Sequence, residues 1–216
     1  MAEDCVRLNQ GDKVLVHAGA GGVGTALIQL CKRRGCEVFA TAGNDDKLKY
    51  MQDQGADHVI NYNTADYAAE TRKVIGSSKL DVVFNAIGGK TFKQDLRLIG
   101  PGGKLVLFGG AARSGKKWGI LSSLRFVWQL GLVIPIALMM TSKSIIGVNM
   151  LKIADQRRDI LGRCLKNVSP LVVNGELKPH VGGRFKAGEI SKAHQLLESR
   201  NSLGKIVVYW KNKVSS

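Results

Sequence analysis

Short apolar runs rich in β-branched residues alternate with longer amphipathic segments from residue 13 onward. This alternation is the signature of βαβ units on a parallel sheet. The apolar runs predict strands at residues 13–17, 37–41, 58–60, 80–84, 104–108 and 144–148. The segments between them predict helices at residues 25–34, 45–54, 67–75 and 91–98. We therefore predict an α/β fold with a doubly wound parallel sheet of about six strands and helices on both faces.

Glycine and asparagine residues mark the ends of these helices. Gly35 and Gly55 follow the first two helices, where glycine commonly ends a helix, and Asn44 is a favoured N-cap for the second. The run from Gly100 to Gly103 predicts a break before the fifth strand. Further along, the pattern predicts helices at 159–173 and 188–199 and a last strand at 205–209.

Residues 113–143 depart from this regular alternation. Their apolar run, from Phe126 to Met140, is 15 residues long and contains Gln129 and Pro135. A helix that spans a bilayer needs about 20 consecutive apolar residues. We therefore expect an apolar insert that some other surface covers, and not a simple transmembrane helix.

The composition agrees with one folded domain. The chain has 216 residues, of which 44% are hydrophobic, enough for a hydrophobic core. Its four cysteines form no C-x-x-C pair and no Cys/His cluster, which argues against a zinc site and a disulfide framework. Acidic residues stand where a signal peptide would be basic, so we expect a cytoplasmic protein. The formal net charge of +15 favours anionic partners.

A glycine-rich turn follows the first strand and opens the first helix. Gly19, Gly21 and Gly24 fit the pattern G-x-G-x-x-G in the place where a Rossmann domain binds a dinucleotide. The first glycine permits a tight turn, the second lets backbone amides approach a pyrophosphate, and the third lets the helix pack closely on the strand. The amino end of the helix offers unpaired N–H groups to the anion. The alternative is a glycine turn without a ligand.

The end of the second strand favours NADP over NAD. An acidic residue there would bind the ribose 2′-hydroxyl of NAD and repel the 2′-phosphate of NADP, and this chain has Ala42 instead. Lys47, one turn into the next helix, can reach the phosphate as a point charge. Asp45 and Asp46 are the opposing observation, because either could contact the ribose hydroxyls. Acidic residues in a first turn more often stabilise the helix dipole.

Four stretches carry a resemblance to a known family, namely residues 14–24, 55–62, 83–88 and 102–109. On these stretches the chain resembles the medium-chain dehydrogenase/reductase superfamily, in particular its zinc-independent quinone oxidoreductase branch. Residues 178–180, residues 203–208 and the apolar insert are most similar to the sub-branch of vesicle membrane proteins homologous to those enzymes. The resemblance implies hydride transfer between NADPH and a quinone or activated carbonyl compound, without zinc.

The resemblance also implies positions for the nucleotide around the predicted turn. It implies Gly21, Gly22 and Val23 under the pyrophosphate, Lys47 and Tyr62 at the 2′-phosphate, and Phe108 and Gly109 beside the nicotinamide. Asn85 and Gly88 end the fourth strand, at the carboxyl edge of the sheet where open α/β folds bind ligands. For Tyr62 the alternative is an aromatic residue at a strand end that packs on the sheet.

The family carries a substrate domain ahead of its nucleotide-binding half, whereas this chain begins almost at the first strand. We predict a nucleotide-binding domain at residues 1–177 and a segment at 178–216 that in the family returns to the substrate domain. Because the family's substrate pocket lies largely outside the part represented here, we assign no catalytic residue. The chain is then either a separated nucleotide-binding part or the partner of a subunit that supplies the rest.

A second interpretation is a peripheral membrane or scaffold protein in which the nucleotide is structural. Residues 113–166 contain ten basic and two acidic residues around the apolar run, as interfacial anchors on anionic membranes do. Residues 118–148 could instead form a homodimer contact, since neighbouring segments extend the sheet between subunits in the superfamily. Nucleic acid has no support as a partner, because no recognised binding motif accompanies the charge.

Overall fold

The computed structural model of the chain describes residues 1–109 and 133–210. Its main sheet consists of β1 (Lys13–Val16), β2 (Glu37–Ala42), β3 (His58–Asn61), β4 (Leu80–Asn85), β5 (Ile99–Phe108) and β6 (Ser144–Val148). All six strands are parallel, in the order β3-β2-β1-β4-β5-β6. The predicted doubly wound α/β fold is confirmed.

Helices cover both faces of this sheet. The connections between the first five strands contain α1 (Gly22–Arg33), α2 (Asp45–Asp53), α3 (Tyr67–Ile75) and α4 (Lys90–Leu98). Successive side chains of β1 point to opposite faces of the sheet, so the core consists of two clusters. Val14 and Val16 pack in one cluster with residues of α1 and α2. Leu15 packs in the other with residues of α3 and α4. The two clusters account for the continuous apolar character of the strands, which are buried on both sides.

The predicted helix ends are confirmed. The Asn44 side chain accepts a hydrogen bond from the Lys47 amide at 3.1 Å and so caps α2. Gly35 and Gly55 follow α1 and α2 with φ angles of +75° and +105°, in the left-handed region that glycine adopts without strain.

The predicted break at Gly100–Gly103 is a bulge within β5 and not the start of a new strand. Leu80 pairs with Ile99 and Val82 pairs with Lys104, so three positions of β4 face six of β5. The surplus residues fold back on themselves, since a Cβ on Gly103 would lie 2.8 Å from the Gly100 carbonyl oxygen. Glycine therefore lets β5 begin five residues earlier than the sequence pattern indicates.

Three short elements were not predicted. They are α5 (Pro135–Thr141), α6 (Met150–Gln156) and β7 (Val181–Lys186). After α7 (Arg158–Val173), β7 pairs in parallel with β8 (Lys205–Tyr209), and α8 (Ile190–Glu198) connects them. The predicted last strand therefore exists, but it belongs to a second sheet and not to the main one. This second sheet lies within the segment 178–216 that the sequence analysis sets apart.

The insert predicted at residues 113–143 falls mostly outside the described residues, together with most of the Phe126–Met140 run. Across residues 1–109 and 133–210, no helix is long and apolar enough to cross a membrane.

Candidate functional site

The predicted nucleotide residues all lie at one edge of the main sheet. Because the strands are parallel, the segments that follow β1 to β5 emerge at the same carboxyl edge. These segments contain the glycine turn after β1, Lys47 after β2, Tyr62 after β3, Asn85 and Gly88 at the end of β4, and Phe108 and Gly109 at the end of β5. The chain changes direction across the sheet between β1 and β4, which is where open α/β sheets form their ligand crevice.

The glycines of the turn meet different surroundings. A Cβ on Gly24 would lie 2.3 Å from the Ala18 carbonyl oxygen and 2.7 Å from the Gly19 Cα, so α1 packs directly on the turn. A Cβ on Gly19 would lie 2.6 Å from the Met51 sulfur. Gly21 is different, because its nearest neighbour would be the Ala18 oxygen at 3.3 Å. Gly19 and Gly24 are thus explained by packing inside the protein, whereas Gly21 leaves space on the outer side.

The first turn of α1, beside that space, contains amides for which the helix itself provides no acceptor. Gly21 is the N-cap, and the first hydrogen bond of the helix runs from the Thr25 amide to the Gly21 carbonyl at 2.8 Å. The amides of Gly22, Val23 and Gly24 therefore have no acceptor within the helix. The first turn of α1 contains no acidic residue. These groups together attract an anion, as the sequence analysis predicted for the pyrophosphate.

Two asparagines that the sequence analysis did not single out hold the loop after β2. The Asn61 side chain donates to the Asp45 carboxylate at 2.8 Å, and the Asn63 side chain donates to the Gly43 carbonyl at 2.6 Å. Asp45, which could have contacted a ribose, is thus engaged with Asn61. The buried Ala42 leaves no acidic side chain at the end of β2 itself.

Lys47 and Tyr62 flank the same loop. The Lys47 ammonium donates to the Arg200 carbonyl, and burial lowers the pKa of this lysine. Tyr62 is 43% exposed, and its ring lies over Gly43, where a Cβ would be 2.7 Å from the tyrosine hydroxyl. Both side chains therefore lie next to the end of β2, and their contact with a 2′-phosphate stays a prediction.

Asn85 uses its whole amide group inside the protein. Its side-chain oxygen accepts from the amides of Ile87 and Gly88, both at 2.8 Å, and its side-chain nitrogen donates to Thr91 and Asp95. Asn85 is thus available to shape the loop after β4 but not to bind a nucleotide through its side chain. Asn85 of β4 pairs with Leu107 of the neighbouring strand β5. This pairing brings the half-buried Phe108 and the exposed Gly109 beside the loop after β4.

A buried polar cluster beneath the edge was also missed. The fully buried Asp95 carboxylate accepts from His17 Nε2 at 3.0 Å, from the Tyr67 hydroxyl at 2.9 Å and from Asn85. His17 Nδ1 lies 3.0 Å from the Thr41 hydroxyl, so both ring nitrogens are satisfied locally. This favours a structural role for His17 over proton donation. The carboxylate also raises the pKa of Tyr67, although burial contributes more.

The signal for Asp95 was present in its spacing. Phe92, Asp95 and Leu98 are three residues apart on α4, and all three are buried. Residues three apart are neighbours on a helix, so Asp95 adjoins both Phe92 and Leu98, and a carboxylate between two buried apolar residues indicates a buried acceptor.

The described residues do not provide a metal site. No group of three or more His, Cys, Asp or Glu side chains in residues 1–109 and 133–210 could hold a metal ion. Cys31 and Cys36 are buried, and Cys164 contacts the Asp4 carboxylate.

The fold and the glycine turn together define a Rossmann domain. The family model of zinc-binding dehydrogenases matches residues 22–166, and the chain belongs to that family. This confirms the resemblance to the cofactor-binding half of the medium-chain dehydrogenase/reductases.

Relatives and solved structures agree with this assignment. A synaptic vesicle membrane protein VAT-1 homolog from Danio rerio is 31% identical over 210 residues, which are 96% of this chain and 43% of the relative. The Escherichia coli quinone oxidoreductase complexed with NADPH is 25% identical, with a TM-score of 0.77 over 96% of this chain and 60% of that one. A mycobacterial protein complexed with NADPH is 28% identical, with a TM-score of 0.77 over 96% and 59%. The chain thus spans roughly half the length of these proteins.

Proposed function

We propose that the chain binds NADPH as the nucleotide-binding part of an oxidoreductase that reduces quinones or activated carbonyl compounds. The observation that carries the proposal is the glycine turn, where Gly21 leaves space beside first-turn amides of α1 that have no acceptor within the helix. Two similar solved structures are NADPH complexes, one of them a quinone oxidoreductase, which supports the choice of nucleotide and of reaction class.

The residues of the chain position the nucleotide along the edge of the sheet. The turn after β1 receives the pyrophosphate, because its amides and the helix dipole attract negative charge. Lys47 and Tyr62 receive the 2′-phosphate on one side, and the loops after β4 and β5 receive the nicotinamide on the other. When bound, NADPH supplies the hydride, and the protein contributes position and electrostatic environment. The absence of an acidic side chain at Ala42 removes the repulsion that would exclude the 2′-phosphate.

Lys47→Ala is expected to lower the affinity for NADPH roughly tenfold and to leave the affinity for NADH almost unchanged. Only NADPH carries the 2′-phosphate, and a hydrogen bond to a charged group contributes about 1.5 kcal/mol or more. The measurement is a titration of the wild-type and variant chains with each nucleotide, followed by nicotinamide fluorescence and thermal stability in parallel.

Lys49→Ala is the matched control, since Lys49 belongs to the same helix and its ammonium pairs with Asp53 on the exposed surface. This variant should bind both nucleotides as the wild type does. Equal losses of NADPH and NADH affinity in Lys47→Ala would contradict the 2′-phosphate role. Absence of nucleotide binding by the wild-type chain would contradict the proposed function itself.

A second candidate property, homodimer formation, is favoured by the apolar surface around α5 and β6. Ile136, Met139 and Met140 on α5 are 62%, 78% and 82% exposed, an unusually apolar helix surface for a monomer. β6 is the edge strand of the sheet, so one side of its backbone has no strand partner within the described residues. We propose that a second copy of the chain covers this surface. Binding to an anionic membrane surface and a cytoplasmic location, both suggested by the sequence, stay predictions.

The double variant M139E/M140E is expected to convert a dimer to a monomer in sedimentation velocity, because charged side chains oppose burial of this surface. Leu151→Glu, at a 78% exposed position on α6, is the control and should leave the dimer intact. If the wild-type chain sediments as a monomer, the proposed homodimer is wrong. Flotation of that monomer with anionic vesicles at low salt would then favour the membrane interpretation.

A further inference from the structure

The loop after β4 is held in shape by the side chain of Asn85. Residues 86–89 form this loop, and its last two residues, Gly88 and Gly89, have φ angles of +70° and +64°. Two consecutive glycines give a backbone many alternative conformations. The Asn85 oxygen selects one of them, because it accepts from the Ile87 and Gly88 amides, both at 2.8 Å. The shape of the loop therefore depends on the direction in which the Asn85 amide group faces.

The carboxylate of Asp95, on α4, fixes that direction. Its Oδ2 accepts from the side-chain nitrogen of Asn85, which also donates to the Thr91 hydroxyl at 2.8 Å. A carboxylate only accepts hydrogen bonds and a backbone amide only donates them, so the oxygen and the nitrogen of Asn85 cannot exchange places. Asp95 thus sets the direction of the Asn85 amide group, and Asn85 in turn sets the shape of the loop.

The other oxygen of Asp95 connects this loop with two more segments of the same edge. Its Oδ1 accepts from His17 Nε2 at 3.0 Å and from the Tyr67 hydroxyl at 2.9 Å. His17 lies between β1 and the glycine turn, and its backbone amide donates to the Phe84 carbonyl at 3.0 Å. Its second ring nitrogen lies 3.0 Å from the hydroxyl of Thr41, in β2. One buried carboxylate therefore joins the start of the glycine turn, the end of β2 and the loop after β4.

We propose that Asp95 is a positioning residue for the nicotinamide end of the nucleotide, and that it acts through Asn85 on the loop after β4. The proposal rests on the function proposed above, in which this loop receives the nicotinamide. A loop that is already held in one shape loses little freedom when a ligand binds, so its contacts contribute more fully to affinity. The 2′-phosphate is proposed to bind after β2 and β3, and β1 lies between β2 and β4 in the sheet. Asp95 is therefore expected to affect one end of the nucleotide and not the other.

Asp95→Asn is expected to weaken the binding of NADPH about fivefold and to leave the binding of adenosine 2′,5′-bisphosphate unchanged. The oxygen of the new asparagine can still accept from His17 and Tyr67, but its NH₂ group faces the NH₂ group of Asn85, so the loop loses its fixed shape. Adenosine 2′,5′-bisphosphate carries the 2′-phosphate without the nicotinamide and therefore reports on the part of the site that should not change. Isothermal titration calorimetry with each ligand measures the two dissociation constants.

The exchange variant N85D/D95N should regain the NADPH affinity of the wild type. Its new carboxylate accepts from the two loop amides and from the new asparagine, whose oxygen accepts from His17 and Tyr67, so every donor again faces an acceptor. Such a recovery is a coupling between the two positions, which independent structural damage at each of them would not produce. If Asp95→Asn does not fold, the exchange variant decides alone, because it must fold and bind NADPH as the wild type does.

Tyr67→Phe is the matched control, since it removes one donor from the same buried carboxylate and leaves the contact with Asn85 in place. It should lower the thermal stability and bind both ligands as the wild type does. If the wild type binds NADPH and Asp95→Asn binds it within twofold, the assignment of Asp95 is wrong and the proposed function stands. Equal losses for both ligands, or no recovery in N85D/D95N, would also overturn the assignment. If the wild type does not bind NADPH, the proposed function fails and the assignment fails with it.

Discussion

Gly24→Ala is expected to lower the free energy of unfolding by about 3 kcal/mol, the upper range for an added methyl group in a packed interior. The new Cβ would meet the Ala18 carbonyl oxygen at 2.3 Å and the Gly19 Cα and oxygen at 2.7 and 2.8 Å. All three are backbone atoms, and Ala18 already has a φ angle of +53°, so the turn cannot move aside at low cost. Urea unfolding followed by circular dichroism measures the change.

Gly162→Ala is the matched control for this substitution. Gly162 also lies within a helix, α7, but a Cβ there would meet nothing within 4 Å. Alanine has a higher helix propensity than glycine by about 1 kcal/mol, so this variant should be slightly more stable than the wild type. If Gly24→Ala unfolds at the same urea concentration as the wild type, that result contradicts the inference that α1 packs too closely on the turn to admit a methyl group.

Asp95→Ala is expected to cost about 3 kcal/mol or more of the free energy of unfolding. The substitution leaves His17 Nε2 without its acceptor in a site that is 1% exposed, and it removes one acceptor from Tyr67 and one from Asn85. Each buried polar group that loses its partner costs about 1–3 kcal/mol. The measurement is again urea unfolding, with an unchanged slope showing that the surface exposed on unfolding is the same.

Two further variants define the cause of this loss. Asp95→Asn keeps the shape and one acceptor oxygen, and we expect a smaller loss than for alanine because its NH₂ group faces a donor. Asp53→Ala removes a carboxylate whose partner, Lys49, is 81% exposed, and its effect should be close to zero. A loss in Asp95→Ala no larger than that in Asp53→Ala would show that the cluster does not stabilise the fold.

The sequence predicted those parts of the fold that depend on neighbouring residues. The cap at Asn44 and the left-handed ends at Gly35 and Gly55 are local, and the structure confirms each of them. The main strands could be predicted equally well, because strands that are buried on both faces appear in the sequence as continuous apolar runs. β7 escaped prediction because its six residues contain two glycines and depend for their pairing on β8, about twenty residues further along.

The features of the candidate site also differ in whether they depend on neighbouring residues or on distant ones. The glycine turn and Ala42 could be interpreted from motif and position, since each acts through its own backbone or its small size. The contact between this turn and Gly204 carries no such signal, because it joins residues more than 180 positions apart. Asn85 shows a third case, in which the position was predicted at the correct edge but its side chain proved to be committed to internal hydrogen bonds.

The bridge between Gly21 and Gly204 has a consequence for how the protein is made. A ribosome releases the strands of the main sheet before it reaches residue 204, so that sheet can assemble while residue 204 and its neighbours are not yet available. The Ala20 carbonyl therefore lacks its Gly204 donor until that part of the chain has been made. In the growing chain the framework of the glycine turn comes first, and the segment that contacts it through Gly204 follows later.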